Sequence, residues 1–295
     1  RDGISDLAEI RAGTDPLGGR SLPSGVVGAL ATHGQAMAVL LEGSAVTSEI
    51  QTAYVATGSY GLAIVDATSF QTAVVLSQID LPGDAVDVSV DSRLTIAVVA
   101  TTTGLQLVDV SDPLAPKLTQ TVNVPATQVE VVDGIAYVAS SGGLESYSLQ
   151  TGELLQVLSL SNSDITGLAR EGQTLYALDA NSVLRAVDIR GLSMQARGSL
   201  ALPAGTGKLF VGNGIAYVGA GNGSQGGFVT VNVSNPDALT LLSGVDAANV
   251  QGQAIAANGS GLAIAVGNLR GPVGEAIHAV DVLDVRDPTK TDQFL

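Results

Sequence analysis

The stretch Gly104-Leu105-Gln106-Leu107-Val108-Asp109-Val110-Ser111-Asp112-Pro113 decides the fold. It is a short β-forming run closed by an acidic residue, followed by a turn and a proline that stops the strand. The same pattern stands in Gly61-Leu62-Ala63-Ile64-Val65-Asp66 and returns over Leu144–Ser148, Val183–Asp188, Phe228–Pro236 and Val280–Pro288. Aligned on the closing polar residue, the anchors are Asp66, Asp109, Ser148, Asp188, Asn232 and Asp284, spaced by 43, 39, 40, 44 and 52. A period near 40–45 residues is the length of a four-stranded propeller blade. A short Asp, Asn or Ser at a strand end bonds backbone N–H groups two residues on, so the anchors read first as turn caps.

Around each anchor run the remaining strands can be placed. A second β-rich run precedes it: Ala53–Thr57, Leu94–Thr101, Ile135–Ser140, Leu175–Asp179, Ile215–Gly219 and Leu262–Gly267. A shorter inner run comes before that, as in Asp84–Val90, Thr127–Val132 and Gly207–Val211, and a polar-alternating run follows, as in Lys117–Val124 and Leu154–Leu160. With Gly, Asp and Asn between runs and no 3.6-residue period, the reading is all-β: a propeller of four-stranded antiparallel blades. Six blades are visible, and a seventh is possible if the chain continues. The propeller spans 21–295, preceded by a linker over 1–20. The run Gly25–His33 is expected to act as an outer strand that zips onto the last blade, covering its edge. A short fourth strand is expected over Thr289–Leu295.

Composition agrees and narrows the function. Hydrophobic residues make up 45% of the 295 but aromatics only 3%, with no Trp, so the core must be aliphatic. With 13 Lys+Arg against 28 Asp+Glu, the formal charge is −15, which repels phosphate backbones, so nucleic acid is not an expected partner. No apolar run reaches the ~18 residues of a membrane span. With no Cys, disulfides, zinc fingers and thiol nucleophiles are excluded. An export signal, if there is one, is expected upstream of Arg1.

The runs Leu62–Asp66, Leu105–Asp109 and Val280–Asp284 resemble the LVIVD repeat of bacterial and archaeal surface propellers, over roughly Gly34 to Leu295. The third to fifth copies depart from it: Ser148 and Asn232 replace Asp, and Arg185 intrudes in the fourth. Arg1–Pro16 resembles the second half of the calcium loop of thrombospondin type-3-like repeats. That resemblance implies a hard-cation site in which Asp2, Asp6 and Glu9 offer carboxylates and Ile4 its carbonyl. The first two acidic positions would precede Arg1, so calcium is implied only with residues upstream.

Catalytic signatures are scarce. His33 and His278 fall in different blades and no Gly-x-Ser-x-Gly elbow accompanies them. The Gly-rich stretch Gly219–Gly227 has no Gly-Lys-Ser/Thr ending, so it is not a phosphate loop. Two second-to-third-strand connections are long, Ala220–Gly227 and Asn268–Ala276. They leave neighbouring blades on one face and offer Asn222, Ser224, Gln225, Asn268, Arg270 and Glu275 for binding. The resulting expectation is a non-catalytic module of a secreted or cell-surface protein, binding a protein or glycan. The alternative is a metal-dependent, lactonase-like hydrolase with its site at the propeller axis.

Overall fold

The computed structural model describes residues 29–43, 50–69, 72–191, 193–205, 208–219, 227–243, 250–257, 262–269 and 278–290. Among them there is no helix, and the strands form six antiparallel sheets. Blade 1 is β1 (Ala38–Glu42), β2 (Thr52–Ala56), β3 (Leu62–Asp66) and β4 (Val74–Ile79). Blade 2 is β5 (Ala85–Asp91), β6 (Ile96–Thr101), β7 (Gly104–Asp109) and β8 (Lys117–Val122). Blade 3 is β9 (Val129–Val132), β10 (Ile135–Ser140), β11 (Gly143–Ser148) and β12 (Leu154–Ser159). Blade 4 is β13 (Ile165–Glu171), β14 (Thr174–Asp179), β15 (Val183–Asp188) and β16 (Gln195–Ala201). Blade 5 is β17 (Leu209–Gly212), β18 (Ile215–Gly219), β19 (Phe228–Asn232) and β20 (Thr240–Ser243). Blade 6 shows β21 (Val250–Ala257), β22 (Leu262–Leu269) and β23 (His278–Asp284). Each sheet pairs its strands in sequence order, the meander that a propeller blade requires.

All six anchors end a third strand. Asp66, Asp109, Asp188 and Asn232 each accept a bond from the N–H two residues on, at Thr68, Ser111, Arg190 and Ser234, over 2.9–3.0 Å. Ser148, with a shorter reach, takes the Thr151 N–H at 3.3 Å. The prolines after the anchors have a second use. The Pro113 carbonyl accepts from Ser77 Oγ at 2.6 Å, Pro236 from the Gly198 N–H at 2.8 Å, and Pro288 from Thr230 Oγ1 at 2.5 Å. Each donor lies in the preceding blade, so the strand-stopping turn is also a latch between neighbours.

Cores form between blades. Val98, Leu105 and Leu107 of blade 2 pack on Val129, Val131 and Val138 of blade 3, and Leu178 and Leu184 of blade 4 on Val218, Val229 and Val231 of blade 5. Each such side chain contributes about 1.5–3 kcal/mol of burial. Small residues hold the second position of the second strand (Ala53, Ala97, Ala136, Ala216, Ala263), all buried, which lets sheets without Trp interdigitate closely. Between third and fourth strands the register slips at matching places, including Ile64/Val65, Leu107/Val108, Ser146/Tyr147 and Thr230/Val231. A repeated bulge adds twist to the outer edges of blades 1 to 5. On the face of blade 1 turned away from blade 2, Ala53, Val55, Ala63 and Val65 are buried, whereas Val39 and Leu41 are exposed.

The expectation for the N-terminal strand changes, and that of a short fourth strand over Thr289–Leu295 falls mostly outside the described residues. Ala29–His33 is not a strand and does not pair with β23. The His33 backbone is instead held by the Gln78 side chain of blade 1: its N–H donates to Gln78 Oε1 at 3.2 Å and its carbonyl accepts from Gln78 Nε2 at 2.8 Å. A side-chain amide thus satisfies the polar groups that a ladder would have paired. At the other end Thr289 and Lys290 belong to a turn closed by Lys290 N–H on the Asp287 carbonyl. Residues 25–28, 291–295 and the 1–20 linker lie outside the described residues.

Candidate functional site

Of the binding residues expected from sequence, Asn222, Ser224, Gln225, Arg270 and Glu275 lie outside the described residues, as do Asp2, Ile4, Asp6 and Glu9 of the calcium-like segment. Asn268 is placed on β22, opposite His278 in the ladder, and not in the loop expected for it. The strand pairing runs further than its composition indicates, so that connection begins after Leu269. The strand ends that flank both long connections, Gly219 and Phe228 in one case, Leu269 and His278 in the other, lie on the face where innermost strands begin.

On that side the innermost strands of all six blades surround one bore of about 520 Å³. The ladders fix which residues correspond. Asp91, Val132 and Gly212 each pair with the first residue of the second strand (Ile96, Ile135, Ile215). Four residues earlier in each blade stand Asp87, Gln128 and Lys208, and two residues earlier Ser89, Glu130 and Phe210. All six line the bore, with Leu40, Leu168 and Ala254 completing an apolar wall.

The polar residues of blade 2 are fully engaged. An innermost strand is a sheet edge, and its outward N–H groups need partners. Asp87 Oδ2 accepts from the Val129 N–H at 3.0 Å, Ser89 Oγ from Val131 at 3.0 Å, and Asp91 Oδ2 from Gly134 at 2.7 Å. Glu171, which matches Asp91, repeats the last bond onto the Gly214 N–H at 3.1 Å. Glu42, at the same position in blade 1, accepts from Ser92 Oγ. Lys208 spans the bore from blade 5: its Nζ lies 3.8 Å from Asp87 Oδ1 and 3.4 Å from the Met37 carbonyl. Burial pushes the Asp87 carboxyl up, against the opposing pull of Lys208 and the Val129 N–H.

Glu130 is different. Its carboxyl faces the bore and accepts no hydrogen bond from a described residue. Burial pushes it up to about 7; Arg170 opposes the shift and Asp87 adds to it. Arg170 donates Nη1 to the Gly172 carbonyl at 3.0 Å, while its Nε is buried without a partner. No group of three or more His, Asp or Glu among the described residues is arranged to hold a metal ion. The sequence does carry a signal for this site: charged residues at matching places in short inner runs, where an aliphatic residue would suit a buried strand.

Arg185, the residue that breaks the repeat in blade 4, joins a separate network. Asp179 accepts from Arg185 Nη1 at 2.6 Å, Ser161 Oγ at 2.8 Å, and the Asn181 and Val183 N–H groups at 3.0 Å. Burial would raise this carboxyl, but the Val183 N–H, Ser161 and Arg185 outweigh it and hold it below its ordinary value.

Fold and bore together define a β-propeller of four-stranded antiparallel blades. Residues 82–124 match the LVIVD repeat family, and they span blade 2 with its flanking turns. The chain thus carries an LVIVD repeat, and the blades on either side follow the same strand order. Among solved structures it is similar to the computationally designed protein Ika8, at 14% identity and a TM-score of 0.57, covering 88% of this chain and 73% of that one. That likeness concerns the fold alone. No curated protein matches the sequence.

Proposed function

We propose that the chain is a non-catalytic interaction or scaffolding module of a secreted or cell-surface protein, presenting a protein- or glycan-binding face. The observation that carries this reading is where the repeated polar side chains go. Anchor carboxylates cap turns two residues on, and Ser77, Thr230 and the Arg197–Asp237 pair tie adjacent blades. They are spread around the ring and spent on rigidity, which suits a platform for variable loops. The rival hydrolase would need its carboxylates gathered on one cation at the axis, whereas Asp87 is engaged with Lys208 and Val129.

The test is to assay the purified chain for lactone and aryl-ester hydrolysis with and without calcium, and to probe the immobilised chain with a glycan array. The module reading expects no calcium-dependent turnover and saturable capture of a glycan class. Calcium-dependent hydrolysis that is lost in Asp87→Asn would overturn it.

A further inference from the structure

Asp87 and Lys208 answer each other across the bore, whereas Glu130 has only the charge of Arg170 near it and no hydrogen bond. It lines the bore that Leu168, Phe210 and Ala254 also line, with no hydrogen bond from a described residue. Glu130 is half-buried, and a carboxylate drawn out of bulk water in this way normally carries a donor. None of the charged groups near it donates a hydrogen bond to it. Arg170, facing it from β13, is tied to the Gly172 carbonyl, and Asp87, facing it from β5, is held by the Val129 N–H. Lys208, across the bore on blade 5, sits within reach of Asp87 and the Met37 carbonyl.

We propose that the axial bore is a binding site for a small organic cation, an ammonium group with a short apolar body, which donates to Glu130 and lays its carbon chain against Leu168 and Phe210. Three features favour this class. The vacant hydrogen-bonding position is an acceptor, so the ligand must bring donors. The wall beside it is aliphatic and aromatic, so the ligand body must be apolar, and a bore of about 520 Å³ is in the size range of small-molecule sites. A chain of formal charge −15 raises the local concentration of cations. The ammonium titration reads this bore alone, so its failure is distinguishable from a failure of the scaffold reading.

The experiment is calorimetric titration of the intact chain with n-butylammonium, with n-butanol as the uncharged control, followed by amide shifts at Glu130 and Val131. The expected result is a Kd on the order of 1 mM for the ammonium and at least tenfold weaker binding of the alcohol. Glu130→Gln, which keeps shape and removes charge, should weaken the ammonium at least tenfold. Because the cation prefers ionised Glu130, its affinity should rise roughly tenfold between pH 6 and pH 8 in the native chain and stay flat in the variant. No saturable binding of the ammonium at 25 °C up to about 20 mM, some twentyfold above that Kd, would overturn the proposal. Equal affinity for the alcohol, or for the Gln variant, would do the same.

Discussion

Ser89 Oγ accepts the Val131 N–H at 3.0 Å, from one blade to the next across 42 residues of sequence. It is the middle member of a row, Asp87, Ser89 and Asp91, that caps the exposed edge of β9. Ser89→Ala leaves a buried N–H with no acceptor and should cost about 1–3 kcal/mol. Urea denaturation of the variant should show that loss with an unchanged slope. Ser159→Ala, on the outer strand β12, should stay within about 0.5 kcal/mol of the native chain. Equal effects at both positions would show that the row is not holding the blades together.

The glycine that opens the third strand is fixed by its neighbour. A Cβ on Gly104 would stand 2.3 Å from the Val122 carbonyl oxygen, one on Gly61 2.3 Å from that of Ile79, and one on Gly143 2.2 Å from that of Leu158. In these three blades the fourth strand crosses directly over this position. Gly104 also has φ of +149°, which a side chain resists. Gly104→Ala should destabilise by about 1–3 kcal/mol, as overpacking does, with thermal melting as the readout. Gly172→Ala, whose Cβ would meet nothing within 4 Å, carries only the strain of its positive φ and should lose less.

The repeat is legible in the sequence because its signals are local. Each anchor with its turn residues lies within ten positions, and the structure puts all six at third-strand ends. Ile135–Ser140 and Ile215–Gly219 fall where the sequence places them. The bore is not legible, because Asp87, Glu130 and Lys208 come from three blades and meet only when the ring is assembled. His33 shows the same limit from the other side. Its segment has strand-like composition, yet the amide of Gln78, 45 residues away, settles its backbone. Asn268 reads as loop because it follows the apolar run, but register with His278 carries the strand past it.

Asp188 gives the clearest acid response. Arg190 binds it through its side chain and its backbone N–H, and Arg197 adds charge at 3.5 Å, so the carboxyl is held down at about 2. A depressed carboxylate stabilises the fold fully above its ordinary value near 3.8, and that stability is lost as pH falls toward 2. Arg190→Ala should move the Asp188 titration, followed by carbon NMR of the side chain, upward toward that value. An unmoved midpoint would assign the depression to the backbone N–H and Arg197.

Glu130 has the opposite sign. Its carboxyl is raised from 4.5 to about 7, so the folded chain binds this proton more tightly than the unfolded chain. Its contribution therefore favours folding most below about pH 4.5, declines as pH rises toward 7, and is constant above. At pH 8 an ionised Glu130 penalises the fold by up to roughly 3 kcal/mol, since each tenfold change in proton affinity is worth about 1.4 kcal/mol. Glu130→Gln removes the titration and keeps the shape, so the variant should melt several degrees above the native chain at pH 8 and alongside it at pH 4. Taking the difference between the two proteins cancels the titrating groups that do not interact with Glu130. A native chain as stable as the variant at pH 8 would mean that the carboxylate is already paired in solution, and the unanswered acceptor in the bore would not exist.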